Sequence, residues 1–356
     1  MKKFGTAILI MSLLWSMTAC GSVPSEAVEK ESEVQEISET VVASSKTGEA
    51  TEQTVSIPLR IDVVSTGTQA IPAYIMQKEN LAEKYGIDLQ VHDNSGAWGS
   101  EWTALKTGEV DCIITAWTYS AMNYDAAPTV CVAPMFGWGN SVITSTDSGV
   151  NSLEDFKDIK LGVYQTTALD WVLMCAAAEK QYGFSPADEC EVSEAAAGLL
   201  GGMLQQGNID AALSYADTNV ILGAEDGYKV LFSMSDCLDD LGLNKETPFL
   251  FYTFSKTYYE EHPEIVAAFV DMYKEVYNIL MSDDEIWNEI ASDCFGVTNA
   301  DAVPALRDTI RACILQENTE DTEKQCQDML NWCQDNGYGD LIGISDIPEG
   351  MIINVK

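Results

Sequence analysis

Basic residues are scarce in this chain. Across 356 residues there are 19 Lys and Arg against 56 Asp and Glu, a formal net charge of −37. A protein binds nucleic acid by neutralising phosphates with Lys and Arg, so this balance excludes that partner and gives an anion no long-range attraction. Histidine is scarcer still, with only His92 and His262, which leaves few candidates for general acid–base work. A Gly-x-Ser-x-Gly elbow, a phosphate-cradling glycine loop and a metal-ligand cluster are all missing, and no cofactor or metal is expected. Beyond the first residues no run is apolar for the roughly 20 positions that a bilayer span requires. These absences favour binding over catalysis.

The N-terminus reads as an address rather than as part of the fold. Lys2 and Lys3 precede the short apolar stretch Ala7 to Trp15, and Met17-Thr18-Ala19-Cys20 closes it with small residues and a cysteine. The arrangement resembles a bacterial lipoprotein signal over residues 1–20, with Cys20 as the lipidated residue. Residues 21–56 are Glu, Ser, Thr and Val with almost no aromatic, too polar to offset the entropy of ordering, and read as an acidic tether. The mature chain is therefore expected outside the cell membrane, held by its lipid. Nine further cysteines are too many by one to pair completely. Cys112, Cys131 and Cys175 sit in core-like runs; Cys313, Cys326 and Cys333 have no zinc spacing, and a Cys326–Cys333 disulfide stays open.

What the chain does have is an internal repeat. Ala104–Thr115 (ALKTGEVDCIIT) and Met203–Ser214 (MLQQGNIDAALS) both read as a helix end, a glycine stop and a buried strand. Upstream, Val63 to Ala70 and Gly162 to Leu169 each read as a strand running through a small polar turn into a helix. Thr68 and Asp111 stand 43 positions apart, as do Thr167 and Asp210. Two α/β lobes follow, each opening with a β-α-β-α-β run and each a mostly parallel sheet with flanking helices. We expect lobe one to comprise 57–143 and 250–356, and lobe two 144–249. Two crossing strands form the hinge, the second within Pro248 to Phe254. Helices over Glu264–Met281, Asp283–Ser292, Asp301–Gln316 and Asp321–Asn336 are expected around lobe one.

In open α/β sheets ligands bind beyond the carboxyl ends of the strands, beside helix N-termini. Applied to both lobes, that rule selects Thr66, Gly67, Thr68, Trp98, Trp117, Thr118 and Tyr119 on one wall. It selects Gln165, Thr166, Thr167, Tyr215 and Asp217 on the other, and Trp138 lies near the crossing. Hydroxyls there can bind polar groups, and Trp98, Trp117 and Tyr215 offer flat surfaces for stacking. Trp117 and Trp138 fit a core role as well as a site role. Thr66 and Thr167 serve equally as helix caps, and Asp217 as a solvated turn residue. Asp111 and Asp210, before their strands at the opposite edge, read as structural.

Leu105-Lys-Thr-Gly108-Glu-Val-Asp111 and Ser152-Leu-Glu-Asp-Phe-Lys-Asp-Ile-Lys-Leu-Gly162-Val163 carry a family resemblance. With the lipid cysteine and the paired lobes, they resemble the substrate-binding proteins of ATP-driven importers. The match is to the type II group for taurine, nitrate, sulfonates and thiamine pyrimidine precursors, over roughly Ile57 to Met281. The resemblance implies a two-lobed periplasmic-binding-protein fold that closes on a small solute and delivers it to a permease as a monomer. The turns selected above hold no Arg or Lys, which favours a flat nitrogen heterocycle or vitamin precursor over a sulfonate, taurine or nitrate. A ligand-sensing receptor shares every soluble feature. The family's pyrimidine-synthase activity needs a histidine and an iron site beside a cysteine cluster, for which the chain has no counterpart.

Overall fold

The computed structural model describes residues 57–94 and 99–355, which fall within one compact unit, Gln53–Lys356. The signal sequence, Cys20, the tether and Trp98 lie outside the described residues. Ten strands form two five-stranded sheets of the same design. The first sheet has the order β2-β1-β3-β10-β4, with β1 (Ile57–Val64), β2 (Ile87–Asn94), β3 (Cys112–Ala116), β4 (Thr129–Phe136) and, returning late in the chain, β10 (Leu250–Ser255). The second runs β7-β6-β8-β5-β9, with β5 (Ser141–Ser145), β6 (Lys160–Val163), β7 (Glu191–Glu194), β8 (Ala211–Ser214) and β9 (Tyr228–Ser233). In each sheet the first three strands are parallel and the strand that has just crossed from the other lobe is antiparallel. The two α/β lobes read from the repeat are present, in the two-lobed type II binding-protein fold that the family resemblance implied.

The repeat builds the same joint twice. The helix Ser100–Thr107 ends at Gly108, φ 73°, and the helix Ala197–Gln205 is followed by Gly207, φ 69°, a left-handed conformation that glycine adopts without a Cβ penalty. β3 and β8, which follow, are buried along their whole length. The aspartate before each strand pins it to its parallel neighbour. Arg60 N–H donates to Asp111 Oδ2 at 2.9 Å while Asp111 N–H donates to Arg60 O at 2.8 Å. Lys160 N–H and Asp210 repeat the exchange at 2.8 and 2.7 Å.

The lobe boundary expected after residue 143 needs correction. β5 pairs with β8 and β9 along its whole length, so Ser141–Ser145 belongs to the second sheet and the crossing is the short segment 137–140. Its end is tied to the second lobe, where Met234 N–H at the start of the helix Met234–Leu241 donates to Asn140 O at 2.7 Å, and its start faces the return crossing, where Phe249 N–H donates to Phe136 O at 2.9 Å.

The C-terminal helices form where expected but do not all pack on lobe one. Pro263–Ser282, Ile286–Phe295 and Ala302–Cys313 join the first lobe's core through Phe269, Tyr273, Trp287 and Leu306. The apolar face of Thr322–Asp335 (Cys326, Met329, Leu330, Cys333) instead enters a second cluster. That cluster runs across the hinge from Cys131 and Phe251 to Val163, Leu173 and Leu238. Tyr338 Oη donates to Glu179 Oε2 at 2.5 Å on the second lobe. The chain then returns to lobe one, where Cys131 N–H donates to Met351 O and Ile353 N–H to Cys131 O. The last segment is thus a strap behind the hinge. Cys326 and Cys333 are both free. Seven positions along a helix, at about 1.5 Å each, set them about 10.5 Å apart, beyond disulfide reach.

Candidate functional site

The carboxyl ends of the parallel strands in both sheets face one cavity of about 250 Å³. Four strand-to-helix turns supply much of its wall. In lobe one β1 leads to the helix Ala70–Lys78 through Thr66, Gly67 and Thr68, and β3 runs directly into Trp117–Asn123. In lobe two β6 leads to Leu169–Tyr182 through Tyr164 and Gln165, and β8 to Ala216–Gly223 through Tyr215. Of the residues selected from sequence, Thr66, Gly67, Thr68, Thr118, Tyr119, Gln165, Tyr215 and Asp217 line the cavity.

Four expected residues do not. Trp117 is 0 % exposed and belongs to the core cluster behind the hinge. The strand ends at Ala116, and a helix starts at Trp117. With about 100° of rotation per helical residue, Trp117 turns inward and its neighbours Thr118 and Tyr119 take the cavity wall. Trp138 is also core: its Nε1–H donates to Thr247 O at 2.6 Å, and its ring packs against Phe249, 4.9 Å away, which does line the cavity. Thr166 is turned towards the edge strand, donating to Glu194 Oε2 from its N–H at 2.9 Å and its hydroxyl at 2.6 Å. Thr167 Oγ1 accepts from Gln165 Nε2 at 2.9 Å and orients that amide. Trp98 lies outside the described residues.

Two bridges cross between the walls. Asp217 Oδ2 accepts from Thr68 N–H at 2.8 Å and Thr68 Oγ1 at 2.7 Å, while its Oδ1 accepts from Thr218 N–H at 2.6 Å. Gly67 beside it has φ 80°, and a Cβ there would meet Asp217 Oδ2 at 3.2 Å. Asp217 therefore fastens one lobe to the other, where the sequence offered it as an acceptor for a ligand amine. Gln165 Nε2 makes the second bridge to Tyr119 Oη.

Sequence reasoning missed the residues deeper in the walls: Asp62, Asn94 and Glu101 in lobe one, Tyr164 in lobe two, and Phe136, Asn140 and Phe249 at the crossings. Asp62 is buried, and both its oxygens are taken: Oδ1 accepts from His92 Nδ1 at 2.9 Å and Oδ2 from Asn94 Nδ2 at 2.8 Å. That bond to Asp62, with the charges of Asp62 and Glu109, raises the His92 pKa above its usual value. A carboxylate in the apolar strand Ile61-Asp62-Val63 was the available signal. Tyr164 Oη and Asn140 Nδ2 both donate to the buried Asp170 Oδ2, at 2.7 and 2.9 Å. Burial raises the Asp170 pKa against the lowering effect of those two bonds. Burial likewise holds the Glu101 pKa up, and the nearby charge of Asp62 adds to it. The Tyr164 and Tyr215 rings lie 5.0 Å apart at 57°. Tyr215 is pushed up to about 12 by burial and by the carboxylates of Asp170, Asp217 and Glu101. Among the described residues no Lys or Arg lines the cavity.

With this geometry in hand, comparison with known proteins is informative. The chain is similar to the periplasmic aliphatic sulphonate binding protein SsuA from Escherichia coli, at 17% identity and TM-score 0.67 over 84% of this chain and 92% of that one. It is similar to the alkanesulfonate-binding protein SsuA from Xanthomonas axonopodis pv. citri, bound to MOPS, at 14% identity and TM-score 0.66 over 83% and 98%. The periplasmic nitrate-binding protein NrtA from Synechocystis PCC 6803 gives 13% identity and TM-score 0.60 over 82% and 85%. At such identities these likenesses concern the fold alone. No curated protein matches the sequence significantly. A family model described as NMT1/THI5 like matches residues 67–285, more than half of the chain, and the protein therefore belongs to the NMT1/THI5-like family.

Proposed function

We propose that this protein is the extracytoplasmic solute-binding component of an ABC importer, anchored through Cys20, acting as a monomer and handing its ligand to a membrane permease. The observation that carries the reading is the cavity itself, because both lobes contribute to it and only a ligand touching both can favour their closure. Its volume of about 250 Å³ suits a metabolite. Tyr119, Tyr164, Tyr215 and Phe249 present rings, and Thr66, Thr118 and Asn140 supply hydrogen-bonding groups, which together favour a flat nitrogen heterocycle or vitamin precursor. A binding role is preferred to a catalytic one because neither histidine lines the cavity.

The sulfonate and nitrate ligands named for the structural neighbours suggest an anion as the second reading. Helix N-termini are ready anion sites, and several face the cavity. Three of those helices, Ser100–Thr107, Leu169–Tyr182 and Ala216–Gly223, already carry a carboxylate in the first turn: Glu101, Asp170 and Asp217. These answer the helix dipoles with the protein's own charge. Mass spectrometry of the small molecule released on denaturation tests the assignment. A nitrogen heterocycle or related organic solute is expected; recovery of a sulfonate or nitrate alone would replace the first reading with the second.

A further inference from the structure

The sign of charge inside the cavity goes beyond a general solute-binding role. Three carboxylates line it, Asp62, Glu101 and Asp217, and they differ in what they already hold. Asp62 is answered by His92, which itself lies within 3.2 Å of Glu109. Asp217 spends its oxygens on Thr68 and Thr218. Glu101 is half-buried at the start of its helix and, among the described residues, has no ion-pair partner. An ionised carboxylate taken out of water is costly unless paired, and closing a cavity over it raises that cost. Tyr215 of the other lobe lines the same cavity within electrostatic reach of Glu101, and the Tyr164 ring packs against it. Aromatic faces attract cations, and Tyr215, 44 % exposed as the cavity stands, would attract one more strongly once closure removes water from it.

We propose that the ligand is a small organic cation, with the Glu101 carboxylate as its counter-charge and the Tyr164–Tyr215 pair as the wall on which its charged group rests. The inference deepens the solute-binding reading and rests on it. Glu101 acts as the specificity-determining residue: it rewards an ammonium, amidinium or N-alkylated ring and leaves an uncharged analogue of the same shape without a partner. A sulfonate or nitrate brought into the same place meets carboxylates instead of donors.

The test uses the purified full chain and matched probes, benzamidinium against benzamide, N-methylpyridinium against toluene, and taurine and nitrate as anions, with binding followed by calorimetry. At least one cation is expected to bind about tenfold or more tightly than its neutral partner. Glu101→Gln should remove that preference by weakening the cation's binding about tenfold, and Glu101→Asp should restore part of it; circular dichroism confirms that each variant folds. Equal binding of cations and neutral partners, or binding of anions alone, overturns the cation inference and leaves solute binding standing. Binding of no probe, together with no small molecule released from the denatured protein, overturns both. A released ligand that is uncharged or anionic at pH 7 also overturns the inference, and a cationic one that Glu101→Gln fails to retain supports it.

Discussion

Trp117 fills the core behind the hinge, and its indole Nε1–H is buried without a hydrogen-bond partner. Trp117→Ala should therefore cost about 3–5 kcal/mol of stability through the cavity it leaves. Trp117→Phe should cost far less, since it also removes an unpaired polar group. Urea denaturation of the two variants checks the contrast; similar midpoints would return Trp117 to the ligand's side of the wall. His92 offers a second test, with a definite sign. Its folded pKa is raised by Asp62, so the stability it contributes is full below about pH 6.5, its value when unfolded, and is lost as pH rises through the higher folded pKa. The advantage of the wild type over His92→Gln, read from thermal melts across pH 5–9, should shrink with rising pH. Both residues also show where reading stopped at the sequence level. The repeat placed Trp117 just beyond a strand's end, but the helix that begins there decides which way it points. Nothing in the sequence joins His92 to Asp62, thirty positions away, because adjacent parallel strands bring together residues that are distant along the chain.

Between elements, the two pinning aspartates make the duplication measurable. Each holds the backbone N–H of a neighbouring strand, but Asp111 also pairs with the Arg60 guanidinium, at 2.9 Å from Nε and 2.5 Å from Nη2, whereas Asp210 answers a backbone N–H alone. Asp210→Ala should cost about 1–3 kcal/mol, and Asp111→Ala should cost more. Denaturant titration checks the order, and an equal loss would mean the guanidinium adds nothing. The strands, glycine stops and aspartates of this joint were readable because each is local and recurs at the same spacing. The packing of the C-terminal helices was not. A stripe of apolar residues such as Cys326, Met329, Leu330 and Cys333 announces that a face is buried, and says nothing of what lies against it. The cavity's acidic lining was hidden for a related reason: Glu101 falls beside a turn the sequence did flag, yet its neighbours Asp62 and Tyr215 arrive from another strand and the other lobe.

At the scale of the whole molecule, nine cysteines are free among the described residues, and all but Cys190 and Cys313 are buried. Burial pushes the thiols up, Cys131 and Cys190 to about 11, so the reactive thiolate is scarce at neutral pH. A fragment beginning at Ile57 should titrate nine thiols in denaturant and react slowly with a thiol reagent when native. A count of seven or fewer would reveal a disulfide. The route of the chain has a mechanical meaning as well. It enters lobe one at β1 and ends against β4 of the same lobe, after passing behind the second lobe through Thr322–Asp335 and Tyr338. The second lobe is thus an insertion in the first. If the proposed anchoring through Cys20 holds, lobe one is the stationary arm. Under that same proposal a permease would sense capture of the ligand mainly as displacement of one arm, with the strap packed behind the hinge that joins the two.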